Sequence, residues 1–163
     1  MAMSSGSYDY VLGNRIEACH FKNLEFDAVL LLDVIEHMTT DSALALLDNA
    51  KKWARCKVII STPNGFVTQI AVDGNELQRH LSGWNTEQLK ALGFQVHGMA
   101  GLKVLRRDNE HLTMDLNLTA SIRFRPRSFW FIVAAVSQAL TFRLPSSAFS
   151  LFAVWERNSK TDV

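Results

Sequence analysis

Residues 26–32, FDAVLLL, form a run that is apolar apart from Asp27 and stops at Asp33. Such a run predicts a parallel strand buried on both faces, with the carboxylate at its carboxyl end. The segment TTDSALALLDNAKKWAR follows, with apolar residues at 43, 44, 46, 47, 50, 53 and 54. That spacing predicts an amphipathic helix, for which Thr40 or Asp41 is the expected N-cap. KVIIST at 57–62 reads as a second buried strand, and PNG at 63–65 turns the chain away. Strand, helix and strand in this order predict a βαβ unit. In NTEQLKALGF, Asn85 is placed to cap a second helix, Gln88 to close a capping box and Gly93 to supply a left-handed stop. FQVHGMAGLKVL is expected as a strand bulged near Gly98 and Gly101. Residues 106–120 are polar and predict a loop. A third helix is expected over 127–142, and Pro145 separates it from the alternating segment FSLFAVWER at 149–157, which predicts a last strand.

Composition sets the frame around these elements. A chain of 163 residues that is 48% hydrophobic and 20% charged is long enough for one globular α/β domain with a real core. Residues 1–7 read as a tag or disordered start, leaving 8–163 as the single domain. Seventeen basic and sixteen acidic residues leave no overall field that selects nucleic acid. Cys19 and Cys56 lack metal-type spacing and read as reduced thiols, so a cytoplasmic location is expected. The most apolar stretch, 128–142, is interrupted by Ser137 and Gln138 and falls short of the roughly 20 residues that span a membrane.

In an open α/β sheet, ligands bind beyond the carboxyl ends of the strands, which is where Asp33, Glu36, His37, Ser61, Thr62 and Asn64 fall. His37 is the natural base candidate there, since imidazole titrates near neutrality. The competing readings are that His37 packs or caps at a helix start and that Glu36 forms an ion pair with Arg79. Arg123, Arg125, Arg127 and Arg143 bracket an apolar helix containing Phe129, Trp130 and Phe131. This pattern suits a helix that covers the core, one that lies at a membrane surface, or one that forms an oligomer interface.

Three stretches resemble class I S-adenosylmethionine-dependent methyltransferases: VLGNRIEACHFKNLEFDAVLLLDVIEHM at 11–38, KVIISTPNGF at 57–66, and DGNELQRHLSGWNTEQLKALGF at 73–94 with the distant VWER. The resemblance implies the carboxyl-terminal portion of that domain. Its fold would be a partial Rossmann-like doubly wound sheet, mostly parallel with an antiparallel last strand and three or more helices. It implies methyl transfer to a small-molecule or lipid-like acceptor, with S-adenosylmethionine as cofactor and His37 and Glu36 as catalytic groups. Gly13, Asn14 and Asp33 match the family's cofactor-binding positions. Arg15, beside them, reads as part of a solvated face.

Some relatives, the ubiquinone-pathway O-methyltransferases and the small-RNA 2′-O-methyltransferases, carry an E-x-x-E-H motif that binds a divalent ion. The latter add a histidine four residues before a tryptophan. Here Asp33, Glu36, His37 and His80 match that ligand set, with Asp33 one methylene shorter than the family's acid.

The departure from the family is that the 163 residues contain no G-x-G-x-G turn. The enzyme reading therefore stands beside that of a non-catalytic, self-associating remnant without cofactor. In the family, the strand matched by FDAVLLL lies between two others, and only one partner is recognisable here. The expected remedies are a homodimer, pairing with the missing amino-terminal half, or pairing with YDYVL at 8–12.

Overall fold

A computed structural model describes residue 16, residues 19–69 and 76–107, residue 119 and residues 121–157. Four strands and three α-helices alternate along it: β1 (Phe26–Leu32), α1 (Thr40–Trp53), β2 (Ala54–Pro63), α2 (Thr86–Ala91), β3 (Gln95–Leu102), α3 (Arg127–Thr141) and β4 (Ala148–Glu156). They form one sheet in the order β1-β2-β4-β3. β1 and β2 are parallel, and β4 runs antiparallel to both β2 and β3. The fold is thus α/β with a mixed sheet whose last strand alone is reversed, as the sequence leads one to expect. YDYVL, Gly13 and Asn14 lie outside the described residues.

Register places Leu31, Ile60, Ala153 and Val96 in one row across the sheet. These four are buried, and they pack with Leu46, Leu47, Ala50 and Trp53 of α1 and Leu89 of α2 in a single cluster. Because strand side chains alternate, the adjacent row points to the opposite face. There Leu30 pairs in register with Ile59, and Ile59 with Val154.

β1 departs from the expectation of burial on both faces. Leu31 is buried, but Leu30 and Leu32 remain 56% and 51% exposed. Among the described residues no strand pairs with the outer edge of β1.

Helix ends follow their local chemistry. Thr39, rather than Thr40 or Asp41, caps α1 by accepting the Ser42 amide, and Asp41 sits in the first turn, where negative charge suits the helix dipole. Arg157 donates to the carbonyls of Lys51 and Ala54 at the other end. The capping box of Asn85 and Gln88 forms as read, and Gly93 adopts φ +84.

β3 carries the expected irregularity, a register shift between Met99 and Leu102 with positive φ at Ala100 and Gly101. α3 covers its outer edge. Gln138 donates to the Gly98 carbonyl and accepts the Gly101 amide, and the Ser137 hydroxyl accepts the Leu102 amide. The two polar residues that interrupt the apolar run therefore satisfy backbone groups an edge strand would leave open. Such proximity needs glycine, because a Cβ at Gly101 would collide with the Ala134 carbonyl.

Candidate functional site

Past the end of β1 the chain makes a short 3-10 turn, Ile35–His37, and this turn supplies two of the site's groups. The third arrives from the loop before α2, which is pinned to the turn by its backbone. The amides of Leu81 and Ser82 both donate to the Glu36 carbonyl, at 2.7 and 3.1 Å. The Ser82 hydroxyl donates to the Ile35 carbonyl and accepts the indole N–H of buried Trp84. Gly83 permits the approach, since a Cβ there would meet the backbone of Phe66 at 2.5 Å.

Through this anchoring, one ligand-capable atom from each of Glu36, His37 and His80 comes within 4.8 Å of the other two. The two imidazoles meet edge to face, with centroids 4.8 Å apart. His80 Nδ1 lies 2.7 Å from the Val67 carbonyl and His37 Nδ1 3.3 Å from the Arg79 carbonyl. A carbonyl only accepts, so Nδ1 of each ring carries a proton, and the neutral form of each ring has its lone pair on Nε2. Burial holds the His80 pKa below the ordinary histidine value, which favours the neutral ring, and the Val67 carbonyl opposes this only in part.

Glu36 is buried, and its Oε2 accepts the Thr62 hydroxyl at 3.1 Å. Desolvation raises its pKa above the usual 4.5, and the carboxylate of Asp33 adds to the rise. The Glu36 backbone amide, the Thr62 hydroxyl and the nearby His37 offset this only in part, so a negative charge on the buried carboxyl is short of compensation. Two imidazole nitrogens and one carboxylate oxygen suit a transition-type divalent ion such as Mn²⁺ better than Mg²⁺ or Ca²⁺, which prefer all-oxygen shells. Ligand bonds of about 2.0–2.2 Å set donor separations of roughly 3 to 4.4 Å, so small side-chain rotations bring the three onto one ion. The carbonyls on the far ring nitrogens are the outer-shell partners that metal-ligating histidines ordinarily have.

Asp33 stands beside this group rather than in it. Its backbone is in the left-handed region at φ +52, and its carboxylate accepts the Ser61 hydroxyl at 3.1 Å. Glu36 does not pair with Arg79, which instead contacts Glu76 at 3.6 Å on the surface. Asn64, also at a strand end, is taken up by the fold, its amide reaching the carbonyls of Pro145, Ser146 and Ala148. Thr62 as partner of Glu36, and the carbonyls of Val67 and Arg79 as orienting groups, carry no signal in the sequence, because the first depends on strand register and the others on loop path.

No protein-family model matches the chain. No curated protein matches it either. Among solved structures, it is similar to a SAM-dependent methyltransferase from Archaeoglobus fulgidus, at 15% identity and a TM-score of 0.49, over 94% of this chain and 69% of that one.

Proposed function

We propose that this chain carries the acceptor side of a metal-assisted S-adenosylmethionine-dependent methyltransferase, with Glu36, His37 and His80 holding a divalent ion. The observation that carries the reading is that one ligand-capable atom from each of the three side chains lies within 4.8 Å of the others, while each imidazole has its Nδ1 against a backbone carbonyl. Its position supports the assignment, because Glu36 and His37 follow the carboxyl end of β1, where open α/β sheets bind ligands.

When bound, S-adenosylmethionine supplies an electrophilic methyl group, and the ion lowers the pKa of an acceptor hydroxyl and fixes its direction. This chain's part is to position that hydroxyl. Phe66 and Leu81, chain neighbours of Val67 and His80, are exposed and suit an acceptor with an apolar part. A base at His37 and a ligand at His37 use the same Nε2 lone pair. The ligand role is preferred because a base needs one such group, whereas here three converge.

For the cofactor, this chain's own residues make a poor cradle. The sequence has no G-x-G-x-G turn, and the Asp33 carboxylate is engaged by Ser61. Forgoing two or three charge-assisted hydrogen bonds weakens binding by several kcal/mol, roughly a hundredfold or more. Calorimetric titration of the 163-residue chain with S-adenosylmethionine should accordingly give no saturable heat in the micromolar range. A micromolar Kd would contradict this division of labour.

A second reading, a self-associating module, is favoured by β1. Among the described residues its outer edge is unpaired, and it carries none of the lysines or prolines that usually blunt such an edge. Antiparallel pairing of two copies about Val29 would set Phe26 opposite Leu32 and Ala28 opposite Leu30, joining the exposed apolar side chains of the two β1 strands within one eight-stranded sheet. Sedimentation velocity should then show a dimer that Leu30→Lys converts to monomer. A wild-type chain that stays monomeric at every concentration would dispose of this second reading.

A further inference from the structure

We propose that α3 is a docking element for an anionic phospholipid surface. This proposal is independent of the metal site. The side of α3 that carries Ala134, Ser137, Gln138 and Thr141 is used against β3, whereas Phe129, Ile132, Val136 and Leu140 are 53–72% exposed. Their spacing of three, four and four residues lines them up on one side of the helix. Phe124, Phe142 and Leu144 extend the exposed apolar surface at the two ends. A stripe of this size on an outward helix face marks an interaction surface.

Charge identifies the occupant. The exposed Arg123 and Arg125, with half-buried Arg127, precede the stripe, and exposed Arg143 follows it. No carboxylate among the described residues pairs with these four guanidiniums. Seven basic and three acidic residues fall between 103 and 143, whereas ten basic and thirteen acidic residues make up the rest, so the basic excess of the chain lies in the stretch of sequence that includes α3.

Three arginines at a helix amino terminus oppose the helix dipole, so helix stability does not account for them. An external array of anions does. A second copy of the chain would bring four more arginines against these, at a cost in like-charge repulsion. A helix of 15 residues, about 22 Å long, is too short to span a hydrocarbon core of about 30 Å. No helix among the described residues is long and apolar enough to cross a membrane. α3 therefore lies in the interface plane, its apolar stripe among the upper acyl chains and its arginines among phosphate headgroups.

The test is flotation of the full 163-residue chain with vesicles of phosphatidylcholine alone and of phosphatidylcholine mixed with phosphatidylglycerol. Binding is expected to the mixed vesicles and to weaken with salt. Val136→Asp should abolish it. The double variant Arg125→Gln, Arg127→Gln should weaken it about 25-fold, near fivefold per charge. Both variants change side chains outside the core, and circular dichroism checks that they remain folded. Equal binding to both vesicle types, or to neither, would overturn the proposal. So would a wild-type dimer that Val136→Asp dissociates without any vesicle binding, which would give the stripe to a second copy.

Discussion

Replacing Glu36 by Gln should leave the ion-free protein at least as stable at neutral pH while removing its response to Mn²⁺. The amide oxygen of Gln keeps the Thr62 hydroxyl as donor, and the cost of holding a buried charge disappears. The pH dependence has a definite sign. A carboxyl whose folded pKa is raised contributes stability that is fully present below its unfolded value, near 4.5, and is lost as pH rises through the folded value. Wild-type stability should therefore fall relative to Glu36→Gln across that interval. With Mn²⁺ at a hundred times Kd, wild type gains about 2.7 kcal/mol, roughly 5–10 °C in Tm for a domain of this size, and the variant gains nothing. Thermal melts with and without the ion decide the matter. A variant that loses several kcal/mol in the absence of ion would mean that the carboxylate serves the fold rather than a ligand.

A second large effect concerns the contact that seats α3. Gly101→Ala places a Cβ against the Ala134 carbonyl and a side chain at φ +73. The left-handed backbone costs about 1–2 kcal/mol and the overlap another 1–3, for a total of about 2–5 kcal/mol. Gly93→Ala separates the two terms. Its φ is +84, but its Cβ would meet only Trp155 at 3.7 Å, so the loss should stay near the backbone term alone. Denaturant unfolding should rank the two variants clearly, and equal losses would remove the helix contact from the explanation.

Much of the fold was legible because its signals are local. The capping box at Asn85 and Gln88, the stop at Gly93, the bulge around Gly101 and the apolar spacing of α1 each depend on residues within a turn or two. The N-cap at Thr39 was missed by one position, since Thr39, Thr40 and Asp41 all have the chemistry of a cap. The exposure of Leu30 and Leu32 was not legible, because an apolar run reports what a strand can bury and not whether a neighbour is there to bury it.

The site was legible in part. Asp33, Glu36, His37 and His80 were marked by the motif resemblance, and three of them converge. What brings His80 across 43 intervening residues is a pair of amides on the Glu36 carbonyl and a serine hydroxyl on Ile35, and backbone acceptors have no signature in sequence.

A divalent-ion site built by one carboxylate and two imidazoles should be visible in the electron paramagnetic resonance of Mn²⁺ added to the unmodified chain and to His80→Ala. One bound Mn²⁺ per chain with nitrogen coupling from histidine, weakened or lost in the variant, is the predicted result. A signal that remains that of the free aqueous ion, or binding of equal strength and without nitrogen coupling in both proteins, would contradict it.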